Sequence, residues 1–252
     1  MLAGFFLAAL TCVPCARAAD SPKELHIAAA ADLRSVMPAL TDAYEHATGV
    51  KLIVSYGSSA TLATQILNGA PFDLFLAADF SFPEKIVAAN LADTGSPIPY
   101  ARGTLVLWAR KDSPLQPLHL DALTDPRAKS IAIADDLHAP FGLAAVRALE
   151  GMHQYDAVKP HLVKAENVEQ AGQFAESGNA QLAFISLTVA KSPHMQEIGT
   201  YVLVPTVYPP INQCAIVMKK SPHAALAHDF LNWLTTPAVQ ANLQRFGLNP
   251  VS

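Results

Sequence analysis

The residues best placed to do chemistry lie where an apolar, strand-like run is followed by the first turn of a helix. Such junctions occur at Ala31-Asp32, Ser58-Ser59, Pro140-Phe141-Gly142 and Asn167-Val168. The first turn of a helix has backbone N–H groups without intrahelical partners, and the helix dipole places about half a positive charge there. Several such turns facing one another would hold an anion through uncharged donors. Taken singly, each Ser or Asp at these places is better explained as an ordinary helix N-cap.

Signatures of enzymes and metal sites are weaker. The segment GSSAT at 57–61 approaches the nucleophile elbow G-x-S-x-G, but Thr61 stands where the second glycine is required. A serine hydrolase would use Ser59 and needs a neighbouring base, for which His138 is the candidate near a junction. The sequence has no H-E-x-x-H, Walker A or dinucleotide-binding motif. We therefore expect a binding protein without a cofactor, and keep the hydrolase as the enzyme alternative.

The elements that must position these junctions follow from the hydrophobic pattern. Apolar runs predict strands at 25–31, 50–56, 73–78, 104–109, 130–134 and 181–187. Helical periodicity or helix boundary signals predict helices at 33–44, 60–67, 82–91, 142–152, 168–176, 224–234 and 237–246. Pro38 lies inside the first of these, so that helix either begins near Pro38 or is kinked there. Apolar strands alternating with helices predict an α/β fold with mostly parallel sheets covered by helices on both faces.

Two extended, proline-rich segments interrupt the alternation, at 96–102 and 204–211. We interpret them as crossovers between two lobes. Lobe one would then be discontinuous and comprise 19–102 and 212–252, and lobe two would comprise 103–211. The alternative is that both segments are surface loops of a single domain.

The first 18 residues are predicted to be a secretory signal peptide. An uncharged apolar run, 1–15, precedes the small-x-small pattern Ala16-Arg17-Ala18. The alternative, a membrane anchor, requires about 20 apolar residues, and this run is shorter. Cleavage near Ala18 would place the protein in the periplasm and leave Cys214 as its only thiol. Since Cys214 lies in the apolar run 214–218, we expect it to be buried.

The composition excludes several classes of protein. Hydrophobic residues make up 51% and charged residues 15% of the 252 positions, which excludes a disordered chain. The formal net charge is −4. This weak acidity argues against nucleic acid as a partner, because phosphate binding needs clustered Lys and Arg.

Four segments resemble one known family. They are AAAADL at 28–33, SYGSSATLATQILNGAPFDLFLAAD at 55–79, DDLHAPFG at 135–142 and FLNWLTTPAVQANLQRFG at 230–247. Together they resemble the periplasmic molybdate-binding proteins of ABC importers, and the resemblance runs in order from about Glu24 to the end of the chain. It implies a type II periplasmic binding protein, with two α/β lobes, two crossover segments and the ligand in the cleft between the lobes.

The resemblance also implies which residues hold the anion. In that family backbone N–H groups and hydroxyls bind molybdate or tungstate as an oxyanion, without metal coordination by side chains. The family's first-loop Ser falls on Asp32, which would use its backbone N–H, and its second Ser falls on Ser59. Backbone N–H contacts fall on Phe141 and Val168, and a Tyr hydroxyl of some members falls on Ser186.

Ala31 and Ser58 are secondary candidates for the same site because they adjoin the first two contacts. Asp32 departs from the family pattern, since a carboxylate replaces a hydroxyl. Two unit charges about 4 Å apart repel by roughly 4 kcal/mol at an effective dielectric constant near 20. We therefore expect the Asp32 side chain to turn back as an N-cap onto Arg34 or Ser35, leaving its own N–H for the ligand.

The function implied by the resemblance is capture of molybdate or tungstate and delivery to a membrane permease driven by a cytoplasmic ATPase. We expect the protein to act as a monomer. Another tetrahedral oxyanion, such as sulfate or phosphate, is the alternative ligand. A secreted serine hydrolase and a two-lobed sensor or adhesion module without a transporter are the alternatives from other classes.

Overall fold

The computed structural model describes residues 23–251, so the predicted signal peptide, 1–18, lies outside the described residues. The described strands are β1 (Glu24–Ala30), β2 (Lys51–Gly57), β3 (Leu74–Ala77), β4 (Ile98–Gly103), β5 (Leu105–Arg110), β6 (Ile131–Ala134), β7 (Leu162–Ala165), β8 (Leu182–Ser186), β9 (Gly199–Leu203) and β10 (Ile211–Val217). The described α-helices are α1 (Met37–Thr48), α2 (Ser59–Leu67), α3 (Ser81–Ala88), α4 (Pro140–Gly151), α5 (Tyr155–Val158), α6 (Val168–Glu176), α7 (Leu187–Ala190), α8 (Pro193–Ile198), α9 (Ala224–Leu234) and α10 (Pro237–Phe246). Short 3₁₀ turns lie at Ala31–Leu33, Leu120–Thr124 and Lys159–His161.

The strands form two five-stranded sheets, each the centre of one lobe. The first has the order β2-β1-β3-β10-β4 and the second the order β7-β6-β8-β5-β9. Helices pack against both, which confirms the predicted two-lobed α/β class. The sheets are mixed rather than mostly parallel. In the first, β1 pairs in parallel with β2 and β3, whereas β10 is antiparallel to β3 and β4.

The antiparallel strands are those through which the chain enters a lobe. β5 follows directly from the first sheet and is antiparallel to β8 and β9, and β10 follows from the second. The register pairs Leu105, at the start of β5, with Ser186, at the end of β8. An entering chain therefore starts at the edge where the other strands end, and it must run against them.

The passages between the sheets lie close to the predicted crossovers. The chain leaves β4 and enters β5 across the single residue Thr104, and it returns through 204–210. The predicted connector 96–102 is largely strand, because β4 pairs with β10 as far as Gly103. β4 is an edge strand, a position that accepts Pro99. The residue boundaries of the lobes stay a prediction.

Helix α1 resolves the two possibilities left open at Pro38. It begins at Met37 with Pro38 in its first turn, where the missing N–H of proline would have no helical partner. It ends at Gly49, whose φ of +71° is left-handed. The 3₁₀ turn Ala31–Leu33 fills part of the interval between β1 and this helix.

Strands β7, β9 and β10 and the short helices were not predicted from the pattern. β7 lies at the edge of its sheet and buries only Ala165. Such a strand does not need the long apolar run by which the other strands were predicted. Cys214 is buried and unpaired, as predicted, and its thiol donates to the carbonyl of Asp79 at 3.0 Å. Burial raises the pKa of that thiol well above its usual value. Within residues 23–251, no helix combines the length and apolarity needed to cross a bilayer.

We predict that Gly142→Ala destabilises the protein. A Cβ at this position would overlap the backbone carbonyl of Ala134, at the end of β6. Either β6 or the first turn of α4 must move, so the free energy of unfolding should fall by about 1–3 kcal/mol in urea denaturation. Gly95→Ala is the matched control, since its Cβ would meet no atom within 4 Å. Equal midpoints for Gly142→Ala and the control would contradict the predicted packing.

Candidate functional site

A small pocket lies between the lobes, where the carboxyl ends of the parallel strands meet. It contains about 210 Å³ of space not filled by protein atoms, part of which is open to solvent. Four helical first turns open into it, two from each lobe: the 3₁₀ turn Ala31–Leu33, α2, α4 and α6. The residues that line it are Ala30, Ala31, Asp32, Gly57, Ser58, Ser59, Ala78, Ala139, Pro140, Phe141, Asn167 and Val168. This set includes all four predicted junctions.

Ser59 lines this pocket and has a hydroxyl group that can donate a hydrogen bond. Its Oγ accepts a hydrogen bond from the backbone N–H of Ala78 at 3.1 Å, and the residue is 1% exposed. Since the oxygen acts as acceptor there, the O–H remains available as a donor. Ser59 is also the first residue of α2, and its backbone N–H forms no hydrogen bond with the described residues.

The two lobe-two helices contribute backbone donors. Neither Phe141, in the first turn of α4, nor Val168, the first residue of α6, donates its N–H to an acceptor in the described chain. At α6 the side chain of Asn167 accepts from the N–H groups of Glu169 and Gln170, so the N–H of Val168 remains without an acceptor. At α4, Ala139 provides no side-chain cap.

The side chain of Asp32 points elsewhere than predicted. It caps neither Arg34 nor Ser35; instead its Oδ2 accepts a short hydrogen bond from the Nε2 of Gln213. Asp32 is 1% exposed, and its Oδ1 has no hydrogen-bond partner. Burial raises the pKa of Asp32 to about 7, against the lowering effects of Gln213 and of its own nearby backbone N–H, which forms no hydrogen bond of regular geometry with the carboxylate. The cap prediction is wrong because it considered only neighbours in sequence.

Gln213 was missed as a functional residue, and so was Tyr100. Tyr100 donates its hydroxyl to Gln213 Oε1 at 2.7 Å, and both residues are buried. The chain of bonds therefore runs from Tyr100 through Gln213 to Asp32. The available signal was a glutamine beside the apolar run 214–218, where a buried amide needs a polar partner.

Ser186, predicted as a ligand contact, is not among the residues that line the pocket. Its Oγ accepts from the N–H of Val189 and pairs at 2.7 Å with the Oγ1 of Thr188. Thr188 in turn donates to the backbone carbonyl of Asp32. The Thr188 hydroxyl therefore accepts the hydrogen of Ser186, and Ser186 fixes the turn that carries Asp32.

The secondary candidates, Ala31 and Ser58, both line the pocket. Ser58 uses its Oγ as the N-cap of α2, accepting from the N–H of Thr61 at 3.1 Å and pairing with the Thr61 hydroxyl. Its hydroxyl is thus occupied by capping. Ala31 offers no side-chain donor.

Contacts across the cleft join the two lobes around the pocket. The guanidinium of Arg34 binds Glu169 on α6 at 2.5 Å, and the hydroxyl of Ser35 donates to the carbonyl of Thr188 at 2.9 Å. On the α2 side, the N–H of Ala60 donates to the carbonyl of His138 at 3.3 Å. A buried bond from the hydroxyl of Thr188 to the carbonyl of Asp32, 2.7 Å long, adds to them, and Ala30, Ala31 and Ala78 pack in the same buried apolar cluster as lobe two. Opening of the cleft would therefore break buried contacts as well as exposed ones.

The electrostatics of the pocket come from dipoles. No Lys or Arg belongs to its lining, and Asp32 is its one ionisable residue. Four helical N-termini therefore supply the positive potential. Among residues 23–251, no group of three or more His, Cys, Asp or Glu side chains could hold a metal ion.

The base that a serine hydrolase requires is not bonded to Ser59. His138 pairs instead through Nδ1 with Asp135 at 3.0 Å, and Ser59 receives its one described side-chain hydrogen bond from the backbone of Ala78. The geometry therefore supports binding of an acceptor-rich anion better than nucleophilic attack.

We predict that Asp32→Asn stabilises the anion-free protein at neutral and alkaline pH. The native state binds the Asp32 proton more tightly than the unfolded chain, so stability is lost as pH rises from about 4 to about 7 and stays low above that. Asparagine removes this loss. In urea denaturation the variant should gain up to about 4 kcal/mol over wild type at pH 8 and far less at pH 4.5. An equal difference at both pH values would contradict the raised pKa.

Comparison with known proteins places this geometry in a family. Residues 25–249 match the family described as bacterial extracellular solute-binding protein. The chain is 34% identical over 229 residues to the molybdate-binding protein ModA of Azotobacter vinelandii, covering 89% of each sequence. It is 30% identical over 182 residues to ModA of Escherichia coli, covering 71% of each.

Solved structures agree with this assignment. The structure of the Azotobacter vinelandii periplasmic molybdate-binding protein superimposes with a TM-score of 0.82 and 31% identity, over 90% of this chain and 100% of that one. The substrate-binding domain of a putative molybdenum ABC transporter from Clostridium difficile gives 0.69 and 28%, over 91% and 99%. With its two mixed sheets and the pocket between them, the chain belongs to the family of bacterial extracellular solute-binding proteins.

Proposed function

We propose that this protein captures molybdate or tungstate in the pocket between its lobes and delivers it to an ABC importer. The observation that carries the proposal is the convergence of unpaired helix N-terminal donors from both lobes on a pocket without cations. The names of the relatives narrow the anion to molybdate. We include tungstate as a ligand because tungstate and molybdate are dianions of the same shape and charge.

In the proposed complex each lobe holds part of the oxyanion. Lobe one provides the hydroxyl and backbone N–H of Ser59 and the backbone N–H of Asp32, and lobe two provides the N–H groups of Phe141 and Val168. All are neutral dipoles directed at a fixed point. An anion that bonds to both lobes favours the closed arrangement by its contacts with the second lobe.

Neutral donors also suit release. A lysine or arginine in the pocket would add a strong local attraction that persists as the lobes separate. The donors of the two lobes no longer surround the same point once the cleft opens. A permease that pulls the lobes apart would therefore weaken several hydrogen bonds at once and free the anion.

Selection among oxyanions would follow from size. Donors held by four separate helical turns cannot all move inward to reach a smaller anion, so several hydrogen bonds to sulfate or phosphate would lengthen together.

The partners and location belong to the same proposal. A solute-binding protein of an ABC importer docks on a membrane permease driven by a cytoplasmic ATPase, and it works as a monomer outside that membrane. A periplasmic location is supported by the predicted signal peptide, 1–18, and by the similarity to the periplasmic molybdate-binding protein of Azotobacter vinelandii.

Thermal unfolding with each anion tests the ligand. Binding at about 1,000 times the dissociation constant adds about 4 kcal/mol to stability. For a chain of this size, that corresponds to a rise in Tm of roughly 8–16 °C. We expect this rise with sodium molybdate and tungstate and little change with sulfate or phosphate at equal ionic strength. A shift with sulfate or phosphate alone would overturn the choice of ligand.

Ser59→Ala tests the site. Loss of a hydrogen bond to a charged partner should weaken molybdate binding by about 1–3 kcal/mol in isothermal titration calorimetry. Ser177→Ala is the matched control: Ser177 is exposed at the far end of α6, and its hydroxyl donates only to backbone carbonyls. Wild-type affinity in Ser59→Ala would place the anion elsewhere.

A further inference from the structure

A carboxyl group lies in a pocket where the proposed ligand is a dianion. Asp32 lines the pocket, is 1% exposed, and carries one oxygen, Oδ1, that is buried without a partner. An unsatisfied buried oxygen is costly, and native proteins rarely keep one without a role. An ionised Asp32 would also repel the anion that the neighbouring donors attract.

The hydrogen-bond chain behind Asp32 has a fixed direction. Tyr100 donates to Gln213 Oε1, which orients the amide so that its Nε2 donates to Asp32 Oδ2. Oδ2 is therefore an acceptor and cannot also carry a proton toward Gln213. Because a carbonyl oxygen is a better acceptor than the hydroxyl oxygen of a carboxylic acid, the bond from Gln213 favours a proton on Oδ1, the oxygen without a partner.

The charged groups around this turn are already paired. From α6, Glu169 binds Arg34, whose guanidinium lies 4.3 Å from the ring centroid of Tyr56 on β2. α7 and the end of β8 present only the hydroxyls of Thr188 and Ser186. From the loop before α4, His138 pairs with Asp135. β4 and β10 present neutral Tyr100 and Gln213 to this chain of bonds, while Arg102 of β4 binds the side chain of Asn212. Among the described residues, no cation lowers the pKa of Asp32.

We propose that Asp32 carries a proton in the anion-bound protein, so that the site takes up one proton from solvent together with each dianion. The Oδ1–H would then donate a hydrogen bond to the anion, while Oδ2 keeps its bond from Gln213. This inference rests on the proposed function and adds a specificity-determining residue to it. The proton comes from water, and no bond other than O–H forms or breaks.

The burial of Asp32 prepares this step in the free protein. Desolvation raises its pKa to about 7, so the carboxyl is largely protonated at pH 6 and largely ionised at pH 8. An adjacent dianion raises the pKa further. Affinity should therefore be constant below pH 7 and fall about tenfold per pH unit above it, because molybdate remains a dianion throughout this range.

Calorimetric titration of the whole protein with sodium molybdate tests the proposal. Titrations at pH 6 and pH 8, in non-phosphate buffers with different ionisation enthalpies, give the number of protons bound. We expect about 0.1 proton per anion at pH 6 and about 0.9 at pH 8, and a dissociation constant about 100-fold larger at pH 9 than at pH 6.

Asp32→Asn should abolish this linkage. The amide keeps an acceptor for Gln213 and directs a permanent N–H donor into the pocket, so we expect near wild-type affinity at pH 6, no proton uptake and much tighter binding than wild type at pH 9. Asp79→Asn is the matched control, because burial also raises the pKa of Asp79 but this residue does not line the pocket. It should retain the wild-type linkage.

The outcomes separate this inference from the proposed function. Wild-type protein that binds molybdate without proton uptake at pH 8 overturns the inference and leaves the function standing. Proton uptake that survives in Asp32→Asn, or a folded Asp32→Asn that binds no molybdate at pH 6, also overturns it. Absence of binding by wild type at pH 6 overturns the proposed function itself.

Discussion

Unpaired backbone N–H groups at helix N-termini are the interaction on which this structure depends. Each would be costly to bury without an acceptor, and Phe141, Val168 and Ser59 all direct theirs toward one small pocket. A single such turn is only a helix end that needs a cap. The side-chain caps of α2 and α6, Ser58 and Asn167, accept from later N–H groups, and α4 has no side-chain cap, so the N–H groups of Ser59, Val168 and Phe141 have no acceptor. Turns from both lobes that keep such donors around one pocket define a place where an anion could accept from them.

The topology explains how two lobes bring these turns together. In each sheet the parallel strands end at the cleft, so the helices that follow them begin there. β5 and β10 enter each lobe from the cleft and run in the opposite direction, which puts both passages beside the pocket. Thr104 and 204–210 thus join the lobes on the cleft side of both sheets, where a small rotation would change the distance between the two sets of donors.

Local features of the site could be predicted from the sequence, and features that depend on distant residues could not. The first turns at Ser59, Phe141 and Val168 follow from strand–helix boundaries, which short windows of sequence reveal. The direction of β5 and β10 depends instead on how the chain crosses between lobes. The same holds for Asp32, whose partner, Gln213, is 181 residues away. Among the neighbours of Asp32 in sequence, the backbone N–H of Arg34 was the expected partner of its carboxylate. In the structure the carboxylate instead accepts from the buried amide of Gln213 on β10.

The Asp32–Gln213–Tyr100 chain shows why a carboxyl group can replace a hydroxyl among neutral donors. A serine hydroxyl rotates and can serve as donor or acceptor, whereas a carboxyl held from behind by an amide has one oxygen committed as acceptor. Burial then makes the protonated form accessible near neutral pH, and in the proposed complex that form would donate an O–H to the anion as serine would. In the proposed mode Asp32 would supply this donor only while it carries a proton. The pH of the solvent would therefore decide whether the set of donors around the anion is complete.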